Sequence, residues 1–303
     1  MDIRQLRYLV SLARERHFAR AAEACGVAQP TLSAGLRHLE ENLGVMVVER
    51  GNRFKGLTPE GERVLAWAQR ILADCDALEQ ELIGARKRLA GRISIGVIPS
   101  ALAMVARLTS AVVTAHPGVG VRLLSRSSID IQRGLDDFEL HAGITYLDNE
   151  PLTHVRSQPL YAERYVLLVR PDRVAGARTG IGWSEVAQLP LCLLVPEMQN
   201  RRIVDAAFAK AGVTPAPVVE TDSIAALVNH VREAGLAAIV PDHLVTRLGL
   251  DATLSAVPLT APELVHSVGL VIADRVPMPP FVAALWNAAQ TIGGTTPVQA
   301  GPG

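Results

Sequence analysis

The chain has 303 residues, 49% hydrophobic and 20% charged, a balance that excludes a wholly disordered chain and leaves room for two or three separate cores. Thirty basic and thirty acidic residues cancel to a formal net charge of +0, which excludes a protein that coats nucleic acid over its whole surface but not one carrying a small basic module. Cys25, Cys75 and Cys192 are odd in number, widely spaced and form no CxxC pair, so neither a disulfide framework nor a metal site is expected, and a reducing cytoplasm fits.

The first residues carry Arg4, Arg7, Arg14 and Arg16, which break up any apolar core of a secretory signal, and no run of 18 apolar residues follows that would span a membrane. Ile3, Leu6, Leu9, Val10 and Leu12 follow helical spacing, giving a first helix with one buried face. A short second helix is predicted from Phe18 to Ala24. Cys25-Gly26-Val27 then turns the chain, because Gly26 tolerates the positive φ that lets a third helix start at a steep angle. That helix opens at Ala28-Gln29-Pro30-Thr31 and continues through Leu32, Leu36, Leu39 and Leu43. This is a helix-turn-helix, whose last helix enters the major groove with its N-terminal side chains on base edges. Gln29, Thr31 and Ser33 occupy that place, with Arg37 one turn on. VMVVERGNRFKGLT reads as strand, turn and strand, a wing offering Arg50, Arg53 and Lys55 to phosphates. Between Met1 and Thr58 nine Lys or Arg face six Asp or Glu, an excess of the sign that DNA requires.

These sixty residues resemble the LysR-type transcriptional regulators. The resemblance rests on Arg4-Gln5-Leu6-Arg7-Tyr8, Phe18 with Arg20-Ala21-Ala22, Gln29-Pro30-Thr31-Leu32-Ser33, Leu39-Glu40 with Leu43-Gly44, Glu49-Arg50, and Leu57-Thr58-Pro59-Glu60-Gly61. Ala19, Val47-Val48 and Gly35 depart from the usual pattern. Gly35 inside a helix costs about 1 kcal/mol of propensity relative to alanine, which implies a close approach to DNA or to another helix. The expected DNA-contacting set is Gln29, Pro30, Thr31, Ser33, Arg37, Arg50, Arg53, Lys55 and Thr58.

From Pro59, with Thr58 as its cap, a long helix is predicted to about Leu89. Val64, Ala68, Ile71, Cys75, Leu78, Leu82, Ala85 and Leu89 recur at alternating intervals of four and three, a heptad seam that a partner helix would cover. A homodimer through this coiled coil suits a helix-turn-helix that reads two half-sites, and the family resemblance favours a homotetramer.

Beyond Arg92 strands and helices alternate, the rhythm of an α/β domain with a largely parallel sheet. ISIGV, a helix over residues 99–115, VGVRLLS, a helix over 128–138 and ELHAGIT form a first lobe. ERYVLLVR, LPLCLLV, a helix over 200–211, PVVET, a helix over 223–233 and LAAIV form a second, and residues 265–292 return the chain to the first. Helix N-termini facing a cleft between two such lobes favour a small anion. The expected effector set is Ser100, Thr145, Gln199, Asn200, Arg201 and Thr221. The resemblance implies a periplasmic-binding-protein-like fold with an inducer between the lobes. IGVIPSALAMVARLTSAVVTAHPGV and IQRGLDDFELHAGITYLDNEPL look like the branch associated with formate dehydrogenase or cyanate genes, implying formate or another small carboxylate as effector. Cys192, in LPLCLLV, is expected to be buried and unreactive.

The predicted architecture is therefore α+β and multidomain. A winged helix-turn-helix spans 1–58, a dimerisation linker helix 59–90 and a two-lobed effector domain 91–303, with lobe I at about 91–160 and 266–292 and lobe II at about 161–265. Its partners are double-stranded DNA, a second copy of itself and a small molecule, with no cofactor. An enzyme is not expected, since the sequence holds no GxSxG, P-loop, HExxH or GxGxxG after a strand.

Overall fold

The computed structural model describes residues 1–49, 54–86, 89–173, 179–247 and 253–293, apart from the side chains of 83–86. Arg50 and Arg53, and the side chain of Ala85, lie outside that set. The chain divides into two compact units, Met1–Arg88 and Leu89–Gly303.

The first unit holds α1 (Ile3–Glu15), α2 (Phe18–Ala24), α3 (Gln29–Leu43) and α4 (Pro59–Arg86). Asp2 and Gln5 form a reciprocal capping box at the start of α1, and Gly44 ends α3 at φ 67°. Leu6, Leu9, Leu12, Ala21, Ala22, Leu32, Leu36, Leu39, Val47 and Ala68 are buried together as one core. Ala68 belongs to the predicted seam, and Val64 and Ile71 pack against the same core. The first half of the seam is thus used within its own unit, where α1 lies against α4. Leu78 and Leu82, further along, are 58% and 59% exposed.

The second unit begins with β1 (Ala90–Val97), a 3-10 turn (Pro99–Ala101), α5 (Ala106–Ala115), β2 (Gly118–Ser125), α6 (Ser128–Asp136) and β3 (Ala142–Tyr146). Next come β4 (Val155–Val169), β5 (Ile181–Gly182), α7 (Trp183–Val186), β6 (Leu191–Leu194), α8 (Gln199–Lys210) and β7 (Pro217–Thr221). It closes with α9 (Ile224–Ala234), β8 (Ala238–Pro241), α10 (Asp242–Arg247), β9 (Ser255–Thr260), β10 (Val265–Ala273) and α11 (Pro280–Gly293). β1 pairs in parallel with β2 and β3, and β6 with β7. The crossing strands differ from the largely parallel expectation. β10 runs antiparallel to β3 and β4, and β4 antiparallel to β8 and β9, because the chain leaves the first lobe along β4 and returns along β10. Residues Val155 to Arg164 of β4 pair with β10, and Tyr165 to Val169 pair with β8 and β9, so the strand changes partners between Arg164 and Tyr165.

The helix predicted over 99–115 is also interrupted. Ala101 N donates to Ile98 O and Met104 N to Ala101 O, giving 3-10 turns, while the Ser100 carbonyl accepts from His243 Nε2 at 3.2 Å. With that carbonyl taken from across the fold, a regular helix starts only at Ala106.

Candidate DNA interface and effector site

α3 begins without a side-chain cap, at Ala28, with Pro30 in its first turn. Gln29, Pro30, Thr31 and Arg37 are exposed, and Ser33 is half-buried. Buried Leu32, Leu36 and Leu39 fix the opposite face of the helix, so its N-terminal polar face is left outward. A Cβ at Gly35 would stand 2.7 Å from the Tyr8 ring, so the close approach that this glycine permits is to α1. Glu40, which sequence reasoning noted only as part of a motif, has a structural task. Its Oε1 accepts from Val47 N at 2.9 Å and Val48 N at 3.2 Å, tying the helix to the wing. In the wing, Val48 bridges Leu57 in antiparallel fashion and Lys55 is exposed. Thr58 is committed elsewhere than to a ligand: its hydroxyl donates to Met46 O at 2.6 Å and accepts from Gly61 N at 2.9 Å, capping α4.

In the second unit, Ser100, Thr145, Gln199 and Asn200 converge. Ser100, Thr145 and Gln199 are each at most 2% exposed. Thr145 Oγ1 lies 3.5 Å from Gln199 Oε1, and Gln199 Nε2 donates to Asn149 O. Asn200 Nδ2 donates to the hydroxyls of Tyr146 and Tyr165, 3.2 Å from each. Arg201 does not join them. Its guanidinium is taken by Asp205 at 2.9 Å, Glu220 at 2.5 Å and Leu194 O at 2.7 Å, so it braces β6, β7 and α8. Thr221 accepts from Ser223 N in a local turn, and Ser223 caps α9.

The centre of the converging group is a residue that sequence reasoning passed over. Glu163 is fully buried at the end of the first-lobe half of β4. Its Oε2 accepts from Tyr146 at 2.6 Å, Tyr165 at 3.3 Å and Ser100 at 3.5 Å. Among the described residues its Oε1 has no hydrogen-bond partner, and it lies 4.0 Å from His243 Nε2. Burial raises the Glu163 pKa to about 7, against the opposing pull of the three hydroxyls. Burial also holds His243 below the usual histidine range. Beside the group a cleft of about 470 Å³ is lined by Pro99, Leu102, Ser125, Asp222, Ser223 and Leu244 among others, so the neighbours of Ser100 and His243 form part of its wall.

Residues 3–62 match the model of the bacterial regulatory helix-turn-helix protein, lysR family, and residues 86–292 match the LysR substrate binding domain. The chain is 26% identical over 279 residues to a hydrogen peroxide-inducible genes activator of Dickeya chrysanthemi, covering 92% of this chain and 91% of that one. It is 28% identical over 223 residues to the HTH-type transcriptional regulator CfxR of Cupriavidus necator, covering 74% and 70%. The solved structure of a full-length OxyR variant from Pseudomonas aeruginosa is similar with a TM-score of 0.79 at 26% identity, covering 100% of this chain and 99% of that one.

Proposed function

This chain belongs to the LysR family of bacterial helix-turn-helix regulators, and from that premise we propose that it controls a metabolic operon by changing how it binds a promoter when a small molecule occupies the site around Ser100, Thr145, Gln199 and Asn200. It is a DNA-binding transcriptional regulator and not an enzyme. The observation that carries the reading is the outward polar N-terminal face of α3, held by a helix packing that leaves Gln29, Thr31 and Arg37 exposed. Gln29 and Thr31 read bases there, while Arg37, Arg50, Arg53 and Lys55 meet phosphates. Leu78 and Leu82 on α4 supply an apolar ridge for a second copy, and four subunits form the working assembly, in the cytoplasm where the DNA is. The small molecule acts by preferring one arrangement of the two lobes, which shifts the spacing of the DNA-binding units.

Capture of genomic fragments by the purified protein at moderate salt, followed by footprinting, tests this. An enriched, imperfectly palindromic site beside a metabolic operon is expected, and recovery of no specific fragment would sink the reading. Gln29→Ala is expected to relax base preference at one position of each half-site by about 1–3 kcal/mol of discrimination. Arg37→Ala is expected to weaken all sequences alike and to flatten the salt dependence. Selection from a randomised operator library separates the two, and an unchanged preference in the Gln29 variant would refute the division.

Similarity to a peroxide-inducible activator raises a thiol mechanism, which Cys192 does not favour. It is the single cysteine from residue 89 onward, is fully buried on β6, and burial pushes its thiol pKa upward. Cys192→Ala is therefore expected to leave the response to the effector intact, and peroxide to leave the wild-type footprint unchanged. A peroxide-dependent footprint that the variant loses would reverse this. Formate or another small carboxylate is the effector that the sequence resemblance implies.

A further inference from the structure

We infer that the ligand of this region is an uncharged, largely apolar molecule of one or two rings, seated in the cleft beside Ser100 with one oxygen toward Ser223; this rests on the reading of that region as the effector site. The cleft is walled from both lobes. Pro99, Leu102 and Ala103 come from the segment after β1, and Ile224, Ala225 and Leu244 come from α9 and α10. Leu102 stands 39% exposed, while Ala103 and Ile224 both pack against the second-lobe core that holds Leu244, so the two walls meet there. Wetted apolar surface on both sides of a cleft is unfavourable, and a molecule that touches both walls gains most where the lobes close on it. Ser100, Thr145, Gln199 and Asn200 are buried, hydrogen-bonded within the protein and absent from the wall, so they shape the site without touching the ligand.

The volume of the cleft, about 470 Å³, sets the size of its occupant. A cavity of about 150 Å³ holds benzene, so there is room here for more than one ring. A one-carbon anion would leave most of the apolar wall wet.

The polar residues of the wall, Ser125, Asp222 and Ser223, decide the charge. Among the described residues that line the cleft none is Lys, Arg or His, and Arg126, next to Ser125, donates to the Ser125 carbonyl at 3.2 Å. A carboxylate would therefore give up its hydration with no cation to replace it, near the Asp222 carboxylate. The amide end of α9, which would otherwise attract an anion, is partly satisfied by Ser223, whose Oγ accepts from Ala226 N at 3.3 Å. A cation gains little from Asp222, because that residue is exposed and water screens its charge. The Ser223 hydroxyl proton remains: among the described residues it has no acceptor, so it can be donated to one oxygen of a neutral ligand.

The experiment is calorimetric titration of the full chain at neutral pH with 2-naphthol, 2-naphthoate, 2-naphthylmethylammonium and formate, on wild type and Leu102→Asn. One ring body with three head groups separates charge from size. Naphthol is expected to bind with a negative change in heat capacity, about tenfold or more tighter than either charged analogue, and about tenfold weaker in the variant, while formate gives no binding heat. Comparison of the four probes on wild type stands even where the variant folds poorly. No binding of naphthol, equal binding of naphthoate or of the ammonium analogue, binding of formate, or undiminished naphthol binding in a folded variant overturns the inference. Fragment capture with the same preparation keeps the two ideas apart. Specific DNA bound without naphthol binding removes only the ligand class, and no specific DNA removes the regulator reading.

Discussion

Glu163→Gln is expected to leave the stability of the chain unchanged near pH 4 and to raise it by about 3 kcal/mol at pH 8. The folded protein holds the Glu163 proton at a pKa of about 7, against 4.5 for an ordinary glutamic acid. Below pH 4.5 both folded and unfolded chains are protonated, and the wild-type carboxyl behaves as a neutral group. Between pH 4.5 and 7 the unfolded chain releases the proton while the folded chain keeps it, so wild-type stability falls with rising pH. Glutamine has no proton to lose and avoids that fall, and at about 1.4 kcal/mol per unit the gap levels off once both wild-type states are ionised. Urea unfolding of both proteins at pH 4, 6 and 8 measures it. A difference independent of pH would show that Glu163 ionises normally and that the three hydroxyls just offset its burial.

Gly61→Ala is expected to disable the DNA-binding unit. A Cβ at this position would lie 2.0 Å from the Val47 carbonyl oxygen and 2.8 Å from its carbon, and both are backbone atoms that cannot swing aside. Val47 is itself fully buried, its amide is held by Glu40, and its carbonyl accepts from Thr58 N. Relief would mean parting the first turn of α4 from the wing and losing the Thr58 cap along with it. Overpacking commonly costs about 1–3 kcal/mol, and a clash with fixed backbone belongs at or above the upper end. In calorimetry the transition of the first unit should fall or vanish while that of the second stays, with specific DNA capture lost. Retention of wild-type DNA binding would mean that α4 and the wing can move apart more easily than this contact allows.

The DNA-binding unit was legible in the sequence because its signals are local. Helical spacing from Ile3 to Leu12 and from Leu32 to Leu43, together with Gly26 and Gly44 at positive φ, sets out the three helices. Gly44 ends α3 as an αL cap. Thr58 showed both possibilities, cap and ligand, and the bond it accepts from Gly61 N shows the first. Glu163 was hidden for a non-local reason. In YAERYVLLV its neighbours at i−2 and i+2 are Tyr161 and Tyr165, a same-face triplet that reads equally well as a solvated surface. Its burial depends on β3, α8 and α10 arriving from distant parts of the sequence. Arg201 could have been placed better: Asp205 lies four residues on, a spacing that pairs side chains along one helix face. The break before α5 was also out of reach, since the group that takes the Ser100 carbonyl is 143 residues away.

The single strand β4 also bears on how this protein can be divided. Its first ten residues are a member of one lobe's sheet and its last five a member of the other's. A gene fragment stopping before Tyr165 would deprive the second lobe of the strand to which β8 and β9 attach, and one starting there would strip β10 of a neighbour. The two lobes must therefore be inherited, expressed and shuffled together. The boundary between Arg88 and Leu89 leaves each side with a complete core, so a recombination event there could join this sensing unit to a different DNA-reading unit without dismantling either.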